Sequence, residues 1–455
     1  MQRRAIQSAG GRGVFKGAEG VLMGLNGEQF LVIAVFSAVV VGTLFFWEMR
    51  FSLVFLASSL LFLTRVIDLE HFIQYASLDV ILFLIGMMAI VGMMREAGIF
   101  HWMVRRLISR KDMSGSRLFF ILMFLSALLS ALMGEVAGIM VMVAVIIEIC
   151  NLLDVNPSPL VVGSVISTNI GSAATVLGNP IGVLIALRGN FSFEDFLAHA
   201  LPVSLLVLII TVGVLFLWNR KYLRGFSAAI ASRAAGGALL PPVYLSRQAR
   251  GMAVIFAVTV LTIAFHRRLE LMLGLETNEL LIVIPVIFAG IAMLYRRGAV
   301  EDCLSKEIEW VSLLFFIFLF ALTGALQASG VAGALADRLI KIAGNRPEIL
   351  SGLTVFSSGV LSSILDNTVV VSSYIPIIHN LETAHSALRV LWWGVLFGAC
   401  FGGNITAIGS TANIVAIDCL KKQKGIKINF MEWFKIGLLA GTLSLVISFL
   451  ALKWF

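Results

Sequence analysis

A chain of 455 residues would make about three soluble domains at the usual ~150 residues each. Its composition excludes that. Hydrophobic residues make up 59% and charged residues 13%, against about 45–50% and about 25% in soluble globular chains; with a mean hydropathy of +0.98, so much apolar surface needs lipid to cover it. The formal charge of +8 sits in short gaps between apolar runs. That is the positive-inside pattern of cytoplasmic loops and not a nucleic-acid surface.

The chain opens with a Gly-rich basic arm over residues 1–28, carrying Arg3, Arg4, Arg12 and Lys16. No compact apolar core with a small-residue cleavage site follows, so a cleaved signal peptide is not expected. Apolar segments then run over roughly 29–47, 51–67, 79–95, 117–150, 158–188, 200–218, 251–270, 279–295, 309–328, 349–381, 389–420 and 433–453. Most can cross ~30 Å of hydrocarbon as helices. Segments 117–150 and 349–381 are too long for one span, and polar residues interrupt each: Gly134-Glu135 in the first, Asp366-Asn367-Thr368 in the second. A re-entrant helical hairpin explains both, provided its polar tip lies in protein or a wet cavity. Two further runs, STNIGSAATVLGNP (167–180) and GGNITAIGSTAN (402–413), carry small and polar residues at mid-span and predict broken helices.

These features repeat. Gly98 corresponds to Gly330 and Ser130 to Ser362 at an offset of 232, and Gly171, Thr175 and Gly178 correspond to Gly402, Thr406 and Gly409 at 231. Paired interrupted helices in two halves point to a transporter's binding site. Placing the basic loop 105–117 in the cytoplasm puts Arg220, Lys221, Arg224, Arg233, Arg247 and Arg250, then Arg296 and Arg297, then Lys421, Lys422, Lys424 and Lys427 on the same side. The acidic loop 68–79 falls outside, and so does the basic arm. Five crossings separate the two hairpins, so the repeats are inverted. The expected architecture is an all-α polytopic membrane protein of about 10 full spans plus 2 hairpins. Its parts are the arm 1–28, repeat 1 over 29–218, a cytoplasmic linker over 219–250 and repeat 2 over 251–455.

A carboxylate inside a membrane segment is costly and marks an ion or proton pathway. Asp366 is therefore a candidate ion ligand, with neutral oxygens on Ser363, Asn367 and Thr368; it can also cap the following hairpin arm. At the first tip Glu135 stands where Asn367 pairs, and Gly134 where Asp366 pairs. A buried Glu135 can exchange protons. Thr168, Asn169, Thr175 and Asn179 in one broken helix, and Asn404, Thr406, Ser410, Thr411 and Asn413 in the other, supply uncharged donors and acceptors beside freed backbone carbonyls. Candidate Na⁺ ligands are Asp366, Asn367, Thr368 and Asn404; Na⁺ or H⁺ is the expected coupling ion, with no other cofactor. Glu148 is expected near the cytoplasmic end, Asp418 balances Lys421 or Lys422, and His379 reads as an interior histidine. Cys150, Cys303, Cys400 and Cys419 form no metal or redox spacing and read as packing residues. No GxxxxGK[ST] phosphate loop occurs, so ATP hydrolysis by that route is excluded.

The segments LDNT (365–368), FGACFGGNITAIGSTANIVA (397–416) and FMEWF (430–434) resemble the ion transporter superfamily. They are most similar to the arsenite permease and Na⁺/H⁺ antiporter (ArsB/NhaD) group, which includes P-protein-type permeases. The resemblance covers about residues 30–453 and implies two inverted repeats that move a substrate domain against a scaffold, often in a dimer. By position it implies ion-binding roles for Asn367 and Thr368, and a second broken-helix motif at Gly402, Asn404, Thr406, Gly409 and Asn413. The chain departs from the pattern at the first tip, where such relatives often carry Asp-Asn. It departs again at residues 178–182, where they often carry Gly-Asp-Pro-Pro-Asn and this chain has GNPIG. The first half-site has thus lost an amide and an acid, which favours a single cation site in the second half, or proton coupling through Glu135. The expected function is ion-coupled secondary transport of a small inorganic or organic anion or oxyacid across the cell membrane, and not enzymatic turnover; the alternative is a Na⁺/H⁺ antiporter using Asp366. The expected partners are the lipid bilayer and a second copy of the chain.

Overall fold

The computed structural model describes residues 26–46, 49–108, 113–234, 244–343, 346–384 and 386–455. Most of the basic arm, with Arg3, Arg4, Arg12 and Lys16, lies outside them, as do Arg110, Lys111 and residues 235–243 of the linker.

The described residues are all-helical. Two helices, α1 (Gly27–Phe45) and α2 (Arg50–Leu63), and the short α3 (Leu69–Tyr75) precede a first series: α4 (Leu78–Glu96), α5 (Ile99–Ile108), α6 (Gly115–Met133), α7 (Glu135–Leu153), α8 (Ser158–Ser172), α9 (Pro180–Arg188) and α10 (Phe193–Trp218). Then come α11 (Arg220–Ala234), α12 (Arg247–Ala264), α13 (His266–Leu273), α14 (Glu279–Tyr295) and the bent continuation α15 (Arg297–Glu307). A second series follows: α16 (Trp310–Ala328), α17 (Val331–Ala343), α18 (Pro347–Ser362), α19 (Asn367–Ala384), α20 (Val390–Gly402), α21 (Thr411–Lys424) and α22 (Phe430–Ala451). Seven helices among the described residues are long and apolar enough to cross a membrane, or eight if α14 and α15 form one bent span. Neither α8 with α9 nor α20 with α21 enters that number, because the unwound backbone interrupts each.

The second series reproduces the contacts of the first. Thr175 Oγ1 donates to the carbonyl of Ala131, and Thr406 Oγ1 donates to that of Ser363. A side chain at Gly171 would meet the Ala127 carbonyl at 2.2 Å, and one at Gly402 the Gly359 carbonyl at 2.2 Å. In each half, then, the first hairpin arm and the first half of the broken helix touch backbone to backbone, the close approach that small residues permit between membrane helices. Gly98 and Gly330 both end the first helix of their series in the left-handed region, at φ +79° and +76°.

The series also interlock. Helix α21 packs on α7, and α9 packs on α19. At the periphery α4 packs on α14 and α16 on α2, so each series leans on the helix that precedes the other. The linker is more than a connection. Its residues 220–234 form α11, with Leu223, Phe226 and Ile230 buried and Tyr222 donating to the Asn156 carbonyl at 2.8 Å. The predicted pairing of Asp418 is with Lys422, at 2.7 Å; Glu148, for which no partner was expected, pairs with Arg105 from α5.

Candidate functional site

Helix α6 ends at Met133, and Gly134 turns the chain at φ +90°, a conformation that L side chains rarely adopt. Glu135 then opens α7. In the second hairpin, α18 ends at Ser362 and Asp366 accepts from the backbone N–H of Thr368 at 2.9 Å, capping α19. The other Asp366 oxygen accepts from Thr411 Oγ1 at 2.9 Å. Capping and a ligand role thus use different lone pairs of one carboxylate.

Glu135 and Asp366, each 8% exposed, line the same cavity of about 270 Å³. Asn179, Thr368 and Thr411 line it too, below walls from α4 and the start of α16. One Glu135 oxygen, Oε2, is buried without a hydrogen-bond partner. The hydroxyls of Ser130 and Thr168 are likewise buried and unpartnered. Asn404 Nδ2, in the other half, is also buried without a partner; buried polar atoms are almost always paired, so these atoms are where a guest or water would bind.

Asn367, the counterpart of Glu135, is satisfied. With its amide nitrogen turned inward it donates to the carbonyls of Ala399 at 3.2 Å and Gly409 at 2.9 Å. Ser362 Oγ donates to the same Ala399 carbonyl at 2.8 Å.

The remaining predicted residues, and Asn179 of the lining, are engaged where the broken helices cross each other and the hairpins. Asn169 Nδ2 donates to Asn404 Oδ1 and to Asn413 Oδ1, both at 2.8 Å, and Asn169 Oδ1 accepts from Ser410 Oγ at 3.1 Å. Asn413 in turn donates to the carbonyls of Gly403 and Thr406, both at 2.8 Å, satisfying backbone that the break in the helix leaves free. Trp433 Nε1 donates to the Asn404 carbonyl at 3.2 Å. Asn179 caps α9 by accepting from Gly182 N at 2.7 Å, while its Nδ2 donates to Ser172 Oγ at 2.9 Å and to Cys400 Sγ at 3.1 Å. Thr175, Ser363 and Thr406 are engaged in tying broken helix to hairpin. Of the four candidate Na⁺ ligands, Asp366 and Thr368 face the cavity, whereas Asn367 and Asn404 are turned into the helix crossings.

Sequence reasoning did not single out Arg95, Lys306, Glu307 or Glu309, which also line this cavity. Arg95 hydrogen-bonds Glu307, Lys306 holds Asp302 at 2.6 Å, and Glu309 accepts from Ser312 Oγ at 3.1 Å. Their only signal was charge at the ends of apolar runs. Among the described residues the lining sets four carboxylates against two cations, so it favours a positively charged guest or a proton. No group of three or more metal-ligating His, Cys, Asp or Glu side chains occurs among the described residues.

A second cavity of about 700 Å³ lies at the other end of α4, bounded by Asp79, Arg188, Gln327, Ser372 and His379 among others.

The citrate transporter family (CitMHS) matches this chain over residues 31–398 and 329–455. An uncharacterized transporter of Mycobacterium tuberculosis is 31% identical over 385 residues, covering 83% of this chain and 86% of that protein. The P protein of Homo sapiens is 24% identical over 81% of this chain, which spans only 52% of the P protein. Among solved structures, the YdaH transporter of Alcanivorax borkumensis, described as having an unusual topology, matches with a TM-score of 0.58 at 16% identity, covering 85% of this chain and 86% of that one. At that identity the likeness concerns the fold.

Proposed function

We propose that this chain, which belongs to the CitMHS citrate transporter family within the ion transporter superfamily, is an ion-coupled secondary transporter of a small carboxylate or oxyacid anion. The observation that carries the reading is the meeting of Glu135 and Asp366, from the tips of two hairpins, in one cavity. A cavity with that acid excess repels a bare anion. The anion therefore travels with a proton or cation, which Glu135 and Asp366 supply or hold. Citrate, the substrate in the family's description, is the first compound to test. The sequence resemblance to arsenite permeases makes arsenite the second.

In this reading the two series are inverted repeats with re-entrant hairpins. Together with the helices that precede them, they form repeats over residues 29–218 and 251–455, joined by a cytoplasmic segment over 219–250. The face bearing Arg95, Arg296 and Lys422 is cytoplasmic, following the positive-inside bias. The protein works in the cell membrane, as a dimer, by alternating exposure of a midplane site.

A second reading, Na⁺/H⁺ antiport through Asp366, draws on the same acid excess, since exchange of two cations needs no anion donor. Uptake of radiolabelled citrate into liposomes holding the purified protein tests the primary reading. We expect saturable uptake that rises with an inward proton or Na⁺ gradient. Absence of uptake of citrate and of arsenite under every gradient would contradict it.

A further inference from the structure

The two cavities differ in chemistry. The first presents four carboxylates; the second has one, Asp79, among neutral donors and a guanidinium. Arg188, the last residue of α9, donates through Nη1 to Asp79 Oδ2 at 2.7 Å and through Nη2 to Asp79 Oδ1 at 3.0 Å, a two-pronged pair. Nη2 also donates to Ser77 Oγ at 2.7 Å. The side chains of Arg188 and Asp79 are 32% and 28% exposed, so the pair is reachable from the cavity but partly shielded from solvent. Gln327, Ser372 and His379 stand on the other walls.

We propose that this second cavity is a carboxylate-binding vestibule, and that Asp79 occupies Arg188 as a built-in stand-in for a carboxylate of the transported anion. The proposal rests on the anion-transport reading above and extends it to a site on the opposite face. Exchanging one carboxylate for another keeps Arg188 paired, while the displaced Asp79 carboxylate is left without its partner and repels the guest, a cost that Asp79→Asn removes. The remaining carboxylates of a di- or tricarboxylate would meet the amide of Gln327 and the imidazole of His379. Asp79 lies in the first turn of α4 and Arg188 ends α9, the second half of the broken helix. Displacing Asp79 therefore also removes one tie between α9 and α4, which pack together, and links occupancy to their relative position.

The test uses the full-length protein in detergent, with citrate affinity read from the citrate-dependent rise in melting temperature and citrate uptake measured on the same preparation in liposomes. If Asp79 is a competitor, Asp79→Asn tightens citrate binding about tenfold while Arg188→Gln weakens it by about tenfold or more; Arg188→Lys, which lacks the fork, falls between wild type and Arg188→Gln. A purely structural tie predicts that Asp79→Asn and Arg188→Gln shift affinity in the same direction or leave it unmoved, and either result overturns the proposal. An independent arm places a cysteine on the exposed part of the cavity wall, Gln74→Cys in a Cys419→Ser background. Protection of this cysteine by citrate from a membrane-impermeant maleimide supports the site, and labelling indifferent to citrate overturns it. Citrate uptake by the wild type with any overturning result removes the vestibule alone; neither uptake nor binding of citrate removes both it and citrate transport.

Discussion

The Asn179 amide donates to the Cys400 sulfur at 3.1 Å, and Ser410 donates to Asn169 at 3.1 Å. Asn179 and Ser410 are equivalent positions in the two halves, as are Cys400 and Asn169, each pair 231 residues apart. Each broken helix thus hydrogen-bonds the N-cap of the other's second half. One of the four partners is a thiol, a weak acceptor, where its counterpart is an amide. The crossing is therefore asymmetric, and most of its strength falls on Asn169.

Asn169→Asp should be strongly destabilising. It removes the N–H donors from Asn404 and Asn413 and sets a carboxylate against two acceptors at a fully buried crossing. Each stranded acceptor costs about 1–3 kcal/mol, so thermal unfolding in detergent should show a loss of several kcal/mol. Cys400→Ser keeps an acceptor for Asn179 and should cost less than about 1.5 kcal/mol.

Asp366→Asn should fold normally and lose Na⁺ or pH stimulation. An amide oxygen still accepts from Thr368 N or Thr411 Oγ1, so the cap survives while the charge is gone. A charge-assisted contact is worth about 1.5–3 kcal/mol, or roughly ten- to hundredfold in ion affinity. The check is the ion concentration giving half-maximal uptake, and wild-type ion dependence in the variant would refute the role given to Asp366.

Glu135→Gln should flatten the pH profile of transport. If uptake requires a proton on Glu135, the wild-type rate falls as pH rises. Glutamine mimics the protonated form and holds the rate steady across the same range. A variant that keeps the wild-type slope would leave Glu135 a structural residue.

Gly171→Ala and Gly402→Ala should each disrupt folding, because the new methyl meets a backbone carbonyl at 2.2 Å that cannot swing aside. Overpacking typically costs about 1–3 kcal/mol and sometimes more. Gly213→Ala has no atom within 4 Å of the added carbon and should be neutral or mildly stabilising. Equal yields of the three folded variants on size exclusion would contradict this account of the hairpin packing.

The hairpin tips were legible in the sequence because polar residues at 134–135 and 366–368 break otherwise apolar runs, and the structure starts α7 at Glu135 and α19 at Asn367. The broken helices were legible for the same reason. What Asn169, Asn404 and Asn413 would do was not: an amide at mid-span serves equally as an ion ligand or as a partner for another amide, and only the crossing of the two halves decides. Arg95, Glu307 and Glu309 sit at helix ends, where charge ordinarily meets water, so nothing local marks them as cavity walls. Helix α11 was hidden by its basic residues, although Leu223, Phe226 and Ile230 repeat at helical spacing.

The central claim, that the cavity between Glu135 and Asp366 couples a cation to an anion, is tested most directly with the purified protein in liposomes loaded with a pH-sensitive dye. A Na⁺ gradient is imposed first without citrate and then with it. The account predicts an internal pH change only when citrate is present, lost in Asp366→Asn and Glu135→Gln. A pH change driven by Na⁺ alone, equal with and without citrate, would contradict it and identify a Na⁺/H⁺ antiporter.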